Sequence, residues 1–358
     1  MDTIQYYIFF AVIFAFYHSM KQQTKIQFAK KNGIVQYLFW VMFALWILVG
    51  MRNVLYGRDT LGYVMEFRES TFLNLNDIAE PGYKVLCYIV RSITDNYHVY
   101  LMVVSFSTIV AMYKLMRRYF SNSYEILAAI CIYVLLGILA FNMAALRQSI
   151  ALSLGIFAFI YADGGKWKKF LLCVGIAYLF HNSSFILLSI YPLRYVNAKR
   201  YGLIAVAVTF VIGVIASGTI IPFLHSYLPM EDRFAQYGTM YESSQNYTGF
   251  ALQLILVLVA YLKRDDIKLP SKTKNLFFNM AYIGLAIQSL TMSLAELYRV
   301  SFYFCVFDIA LVPLALSTYT SANASMIRNC FIIGCLFYIF VLSGAGVLPL
   351  PQAFRVNI

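Results

Sequence analysis

Four short stretches of the chain carry side chains able to do chemistry, and each sets an arginine or a histidine among hydrogen-bonding groups. The first holds Arg52, Gly57, Arg58, Asp59, Thr60 and Tyr63. Arg52 and Arg58 offer forked N–H donors that fit phosphate oxygens, and Asp59 can orient them or accept a proton. The second runs from Asn142 to Ser149, with Arg147 between Asn142 and Gln148. The third is Phe180, His181, Asn182, Ser183 and Ser184. Histidine titrates near neutrality, so His181 can move a proton or hold phosphate. The fourth is Glu296, Leu297, Tyr298 and Arg299, where Glu296 and Arg299 can pair on one helical turn. Each stretch also has a plainer reading: a charged loop, an arginine whose head reaches toward water, a hydrogen-bonded histidine, an ion pair. Their coincidence at four turns suits an anionic ligand better than any of them does alone. Asp308 follows in the next apolar stretch and either lines the same cavity or neutralises an arginine.

These residues must be positioned by apolar elements. Of 358 residues, 61% are hydrophobic and only 12% charged, where a soluble domain carries about 25% charged. One water-soluble core cannot absorb that excess. Windows of about 20 apolar residues, the length that crosses a bilayer, recur from end to end. The expectation is an all-α, polytopic transmembrane helix bundle of about 11–12 membrane segments, forming one membrane domain over residues 1–358 with a lipid bilayer as its surroundings.

Charge orients the bundle. Most Lys and Arg sit in short clusters: Lys21/Lys25/Lys30/Lys31, Lys114/Arg117/Arg118, Lys166/Lys168/Lys169, Arg194/Lys199/Arg200, Lys263/Arg264/Lys268/Lys272/Lys274 and Arg328. Such clusters mark the cytoplasmic side. Spans are then expected over 4–20, 34–51, 97–116, 124–142, 146–162, 201–221, 249–262, 276–293, 299–317 and 328–345. All four chemical stretches fall on the outer side. Two outer loops follow, over 52–96 and 222–248. Within the first, 80–95 begins at Pro81, is too charged to span, and reads as an amphipathic helix lying on the surface.

Residues 170–193 have the length of one span, yet basic clusters flank both ends. A short re-entrant or broken pair, turning near His181, satisfies both clusters. Irregular backbone at that depth survives only inside protein or beside a wet cavity.

Several functions are disfavoured. The net charge of +12 lies in loops between spans, which argues against nucleic acid. The six cysteines lie in apolar windows without a CxxC pair and read as small buried hydrophobes. No carboxylate spacing suggests a metal, so neither metal nor cofactor is expected. Residues 4–16, followed by lysines, do not read as a cleaved signal peptide.

In order and spacing these pieces resemble the EpsG family of exopolysaccharide polymerases, a branch of the Wzy-like O-antigen and capsule polymerases. The matching residues are Arg52 with Gly57 to Thr60 and Tyr63; Glu80 to Tyr83; Leu146 to Ala151; Phe180 to Ser183; and Tyr298 to Phe304. The family often has a lysine or another polar residue after the histidine, where this chain has Asn182, and often Gly-Thr-Asp where Arg58 precedes Asp59. The resemblance implies a GT-C-like fold in a bacterial plasma membrane. It implies an enzyme joining oligosaccharide repeat units carried on undecaprenyl diphosphate, served by a chain-length regulator. On that reading Arg52, Arg58, Arg147 and Arg299 hold diphosphate, and Tyr63, Asn142, Gln148 and Asn182 line the substrate. Asp59, His181 or Glu296 acts as base, with Asp59 favoured and His181 as a phosphate or hydroxyl contact. A flippase of the same lipid, a polysaccharide ligase and a membrane acyltransferase are the rivals.

Overall fold

The computed structural model describes residues 27–55, 59–71, 80–216, 248–292, 297–319 and 323–339, together with Ile13 and Tyr17. Among them there is helix and turn but no strand, as the apolar periodicity requires. Arg58, Glu296, the span 4–20 apart from Ile13 and Tyr17, and nearly all of the loop 222–248 lie outside the described residues. The helices are α1 Gln27–Gly50, α2 Thr60–Arg68, α3 Pro81–Ile93, α4 Tyr97–Tyr119, α5 Ser123–Leu135, α6 Ile138–Ala144, α7 Leu146–Asp163 and α8 Trp167–Phe180. A 3-10 helix, Asn182–Ser189, leads into α9 Ile190–Leu193. Then come α10 Lys199–Ile215, α11 Thr248–Leu262, α12 Ser271–Ser289, α13 Leu297–Cys305, α14 Asp308–Leu316 and α15 Ala324–Phe337.

Residues 33–50 and 97–119 are each long and apolar enough to cross a membrane, and two bent helix pairs would raise the described crossings to four. The chain is therefore a helical membrane protein. It divides into two compact units, 1–191 with 313–358, and 192–312.

In the first unit, α1 lies close against α4. The Trp46 indole donates to the carbonyl of Met102 at 2.9 Å, and its ring meets Phe106 edge-on at 5.7 Å. At the far end of α4, Arg118 and the Tyr119 hydroxyl both bond Asp163 at the end of α7, at 2.9 and 2.8 Å. This tie gathers Lys114/Arg117/Arg118 and Lys166/Lys168/Lys169 at one end of the bundle. Asn122 starts α5 through a reciprocal cap with Glu125, satisfying N–H groups that the first turn leaves free.

Two expected spans are not straight. Residues 124–142 form α5 and α6, bent by 58°, because Gly137 takes a left-handed φ of 71° that stops the ladder. Residues 299–317 form α13 and α14, bent by 45° across Val306 and Phe307. Residues 167–193 do double back. Phe170 and Tyr191, at opposite ends of the segment, bring their rings to 5.3 Å, and the α8 helix stops at His181, whose backbone is extended.

α3 is amphipathic in two senses. Tyr83, Cys87 and Val90 are buried against the unit, whereas Val85, Ile89 and Ile93 form an exposed apolar stripe. A helix with that stripe suits the boundary of a bilayer.

In the second unit, α12 packs against α10 and α13. Asn279 on α12 donates to the carbonyls of Leu193 and Val196 at 2.8 and 2.7 Å. Arg264 is buried, donating to Asn275 at 2.8 Å.

Candidate active site

The site is built on an apolar floor in the first unit. Val64 and Phe67 of α2, Tyr83, Cys87 and Val90 of α3, Tyr100, Leu101 and Val104 of α4, and Leu146 and Ile150 of α7 form one buried cluster. Phe67 stacks on Tyr100 with centroids 4.5 Å apart, and the Tyr83 and Tyr100 hydroxyls share a hydrogen bond. This block fixes the rims of α2, α3 and α7 relative to one another.

Arg147 stands on that floor, in the first turn of α7. Its guanidinium lies over the rings of Tyr83 and Tyr63, 4.9 and 5.4 Å from the centroids, an arrangement that favours a cation. Nη1 donates to Glu80 at 2.8 Å and Nη2 to Glu66 at 2.6 Å. Its Nε is buried without an acceptor. Glu80 in turn bonds Nδ1 of His181 at 2.5 Å through its second oxygen. Four ionisable side chains from four separate elements thus form a chain: Glu66, Arg147, Glu80, His181.

Local geometry accounts for each position. Pro81 at the first position of α3 fixes the helix start, and Glu80 just before it adopts a left-handed φ of 55°. For a residue with a Cβ that conformation costs about 1–2 kcal/mol, so surrounding contacts must hold it. The bonds to Arg147 and His181 are those contacts. His181 is presented by the helix break, with its N–H bonded to the Ala177 carbonyl at 3.0 Å. The two elements meet at Gly82, where a Cβ would lie 3.0 Å from both the Cβ and the carbonyl oxygen of Leu179. Gly82→Ala is therefore expected to push α3 away from the end of α8 and stretch the Glu80–His181 bond. Activity should fall while the level of protein in the membrane stays unchanged.

Electrostatics assign the tautomer. Burial pushes the Glu80 carboxyl up, but the hydrogen bonds and charges of His181 and Arg147 outweigh it and hold the group below its ordinary value. Glu80 is therefore a carboxylate near neutrality and only accepts. Nδ1 of His181 must carry the hydrogen, and when the ring is neutral Nε2 has a free lone pair.

The other expected site residues have different duties. Arg52 is buried and donates to the carbonyls of Val49 and Met143 at 2.5 and 2.9 Å. The Thr60 hydroxyl donates to the same Met143 oxygen at 2.9 Å. Together they tie the end of α1 and the start of α2 to the end of α6. Asp59 is half-buried just before α2. Asn142 is buried and donates to the Tyr133 hydroxyl at 2.6 Å. Gln148 is buried beside Arg147 in sequence, and Asn182 is exposed just after His181. Arg299 is exposed on α13 in the second unit. Among the described residues, no group of three His, Cys, Asp or Glu side chains is placed to hold a metal ion.

Glu66 and Glu80 were not singled out as site residues by sequence reasoning. A signal existed. The chain has only 16 acidic residues; Glu66 lies one helical turn after Tyr63, and Glu80 opens a motif.

The order Arg52…Thr60, Glu80…Tyr83, Leu146…Ala151 and Phe180…Ser183 now corresponds to one cluster and its supports. A model of the EpsG family matches residues 35–350. The chain belongs to the EpsG family. No curated protein and no solved structure matches it. EpsG membership implies an exopolysaccharide-related polymerase, a glycosyltransferase-like activity, and it agrees with the apolar helices in making this a membrane protein. In this EpsG protein the motifs of the first unit come together because α2, α3, α7 and the end of α8 share one apolar floor.

Proposed function

We propose that the protein polymerises oligosaccharide repeat units carried on undecaprenyl diphosphate, at the extracytoplasmic face of a bacterial plasma membrane, with His181 as general base. The observation that carries the reading is the Glu80–His181 pair, held at 2.5 Å. The hydroxyl of an acceptor repeat unit attacks the anomeric carbon of the growing chain. A new glycosidic C–O bond forms, the C–O bond to diphosphate breaks, and its electron pair leaves with undecaprenyl diphosphate. The hydroxyl proton passes to Nε2 of His181, and the Glu80 carboxylate stabilises the imidazolium that results.

The leaving group is already anionic and needs no acid. Arg58 remains the arginine of this part of the chain assigned to its charge. Arg52, with both terminal nitrogens on the carbonyls of Val49 and Met143, is assigned to position the ends of α1 and α6. Arg147 is reassigned: with both terminal nitrogens on carboxylates, it is the positioning residue that fixes Glu80. Asp59, first favoured as base, gives way to His181, because His181 has an oriented carboxylate partner.

The outward placement is supported by the bundle itself. The Arg118–Asp163 tie sits with the basic clusters at one end, and Arg147 with His181 belongs to the other end of α7 and α8. With the clusters cytoplasmic, the site faces out. The fold is assigned as GT-C-like, with about 11–12 membrane segments, the bent pairs and the doubled-back segment being among them. Tyr63, Asn142, Gln148 and Asn182 are assigned to the sugar side of the site.

Purified protein in liposomes, supplied with lipid-linked repeat units, tests this. A ladder of chain lengths is expected. A single transfer product would mark a ligase, and movement of the lipid without glycosidic bond formation would mark a flippase.

A further inference from the structure

We propose that Asp308 is a buried proton site, carrying one proton on Oδ1 and pairing with the amide of Gln253 in a two-bond acid–amide ring. The proposal concerns the second unit and does not depend on the chemistry assigned to His181.

Asp308 is the first residue of α14, immediately after the bend at Val306 and Phe307, and it is completely buried. Gln253 on α11 is completely buried as well. The Gln253 Nε2 donates to Asp308 Oδ2 at 2.8 Å and to Cys305 Sγ at 2.9 Å. Both of its amide hydrogens are thereby used. Two acceptors are left over: Asp308 Oδ1 and Gln253 Oε1 are buried with no hydrogen-bond partner. They are the second atoms of two groups already joined by a hydrogen bond.

An unpartnered acceptor in an apolar interior is costly, and two side by side are more so. One hydrogen placed on Asp308 Oδ1 satisfies both. The O–H donates to Oε1 while Nε2–H donates to Oδ2, closing a ring in which every polar atom of the two groups is used. Among the described residues, Gln253 supplies the side-chain hydrogen bond to this carboxyl. Cys305 on α13 faces the pair as a thiol that donates to Gln288 Oε1 of α12 at 3.7 Å. Among the described residues no Lys, Arg or His makes an ion pair with Asp308. Without a cation, a carboxyl in such a place is neutralised by keeping its proton. The pair ties α11 to the break between α13 and α14. Its proton is thus part of what holds the bent segment in shape.

Infrared spectra of the reconstituted protein near pH 7 test the assignment. Wild type should show a protonated-carboxyl C=O band that shifts in D2O and is missing from Asp308→Asn. That variant reproduces the ring with Nδ2–H in place of O–H, so it should unfold at the wild-type temperature. Gln253→Leu strands the acid and should unfold earlier. A wild-type spectrum without the band would overturn the proposal. So would an Asp308→Asn protein that unfolds early beside a wild type stabilised by sodium or potassium, since that combination means an ionised Asp308 holding a metal cation.

Discussion

Replacing His181 by alanine is expected to lower chain polymerisation about 100- to 10,000-fold, the usual contribution of a positioned base. Membrane insertion should be unaffected. The side chain is 29% exposed, and the backbone bond that ends α8 at His181 survives the substitution. The partner variant Glu80→Gln separates base chemistry from packing. It keeps the shape of the side chain but removes the anion that stabilises the imidazolium formed on proton transfer, so turnover should fall with the fold intact. The same carboxylate ties stability to pH. Its folded-state value lies below the ordinary 4.5, so its contribution is complete above that value. Acidification through the depressed value removes it, as the proton returns and the bonds to Arg147 and His181 weaken. Wild type should therefore lose thermal stability in acid more steeply than Glu80→Gln. Polymer ladders and unfolding curves across pH read both effects. An alanine variant at His181 with wild-type ladders would remove the histidine from the reaction.

The second large effect is expected at Arg147. Arg147→Ala removes one guanidinium and leaves two carboxylates, Glu66 and Glu80, facing each other over an apolar floor. Hydrogen bonds to charged groups are each worth about 1.5–3 kcal/mol. With Glu66 34% exposed, the loss belongs at the lower end of the range on that side. Activity should fall with stability, because Glu80 in its left-handed conformation loses one of the two contacts that hold it. Arg147→Lys should restore little. An ammonium is a point charge and cannot bond two carboxylates from a planar fork. Arg147→Ala combined with Glu66→Gln should recover part of the lost stability by removing one of the two stranded charges, and the double-mutant cycle measures how much. Wild-type ladders from Arg147→Lys, or no recovery in the double variant, would show that the guanidinium does not organise these carboxylates.

The two predictions differ in kind. His181 is assigned to the reacting proton, so its loss should appear in turnover with the fold intact. Arg147 is assigned to position Glu80, so its loss should appear in stability and activity together.

Much of this protein was legible from its sequence. Apolar windows and clustered lysines and arginines fixed an all-helical membrane protein, because the transfer of charge into hydrocarbon is costly enough to dominate every other preference. Basic clusters at both ends of 170–193 required the chain to turn back, and it does so at His181. Pro81 marked the start of a helix for a local reason, the ring's fixed φ. Short motifs around Arg52, Arg147 and His181 were enough to identify the family.

Tertiary structure decided who pairs with whom. Arg147 read as a free cation for diphosphate, yet it is balanced by Glu66 and Glu80, which come from α2 and the entry to α3. Ion pairing between residues 67 and 81 positions apart leaves no trace in local spacing. It depends on how α2, α3 and α7 dock on Phe67, Tyr83 and Tyr100. Arg52 likewise spends donors on backbone carbonyls, Val49 three residues away and Met143 at the end of α6, the second brought within reach only by tertiary packing. The bends in 124–142 and 299–317 were hidden because hydropathy measures how apolar a segment is and carries no record of its direction.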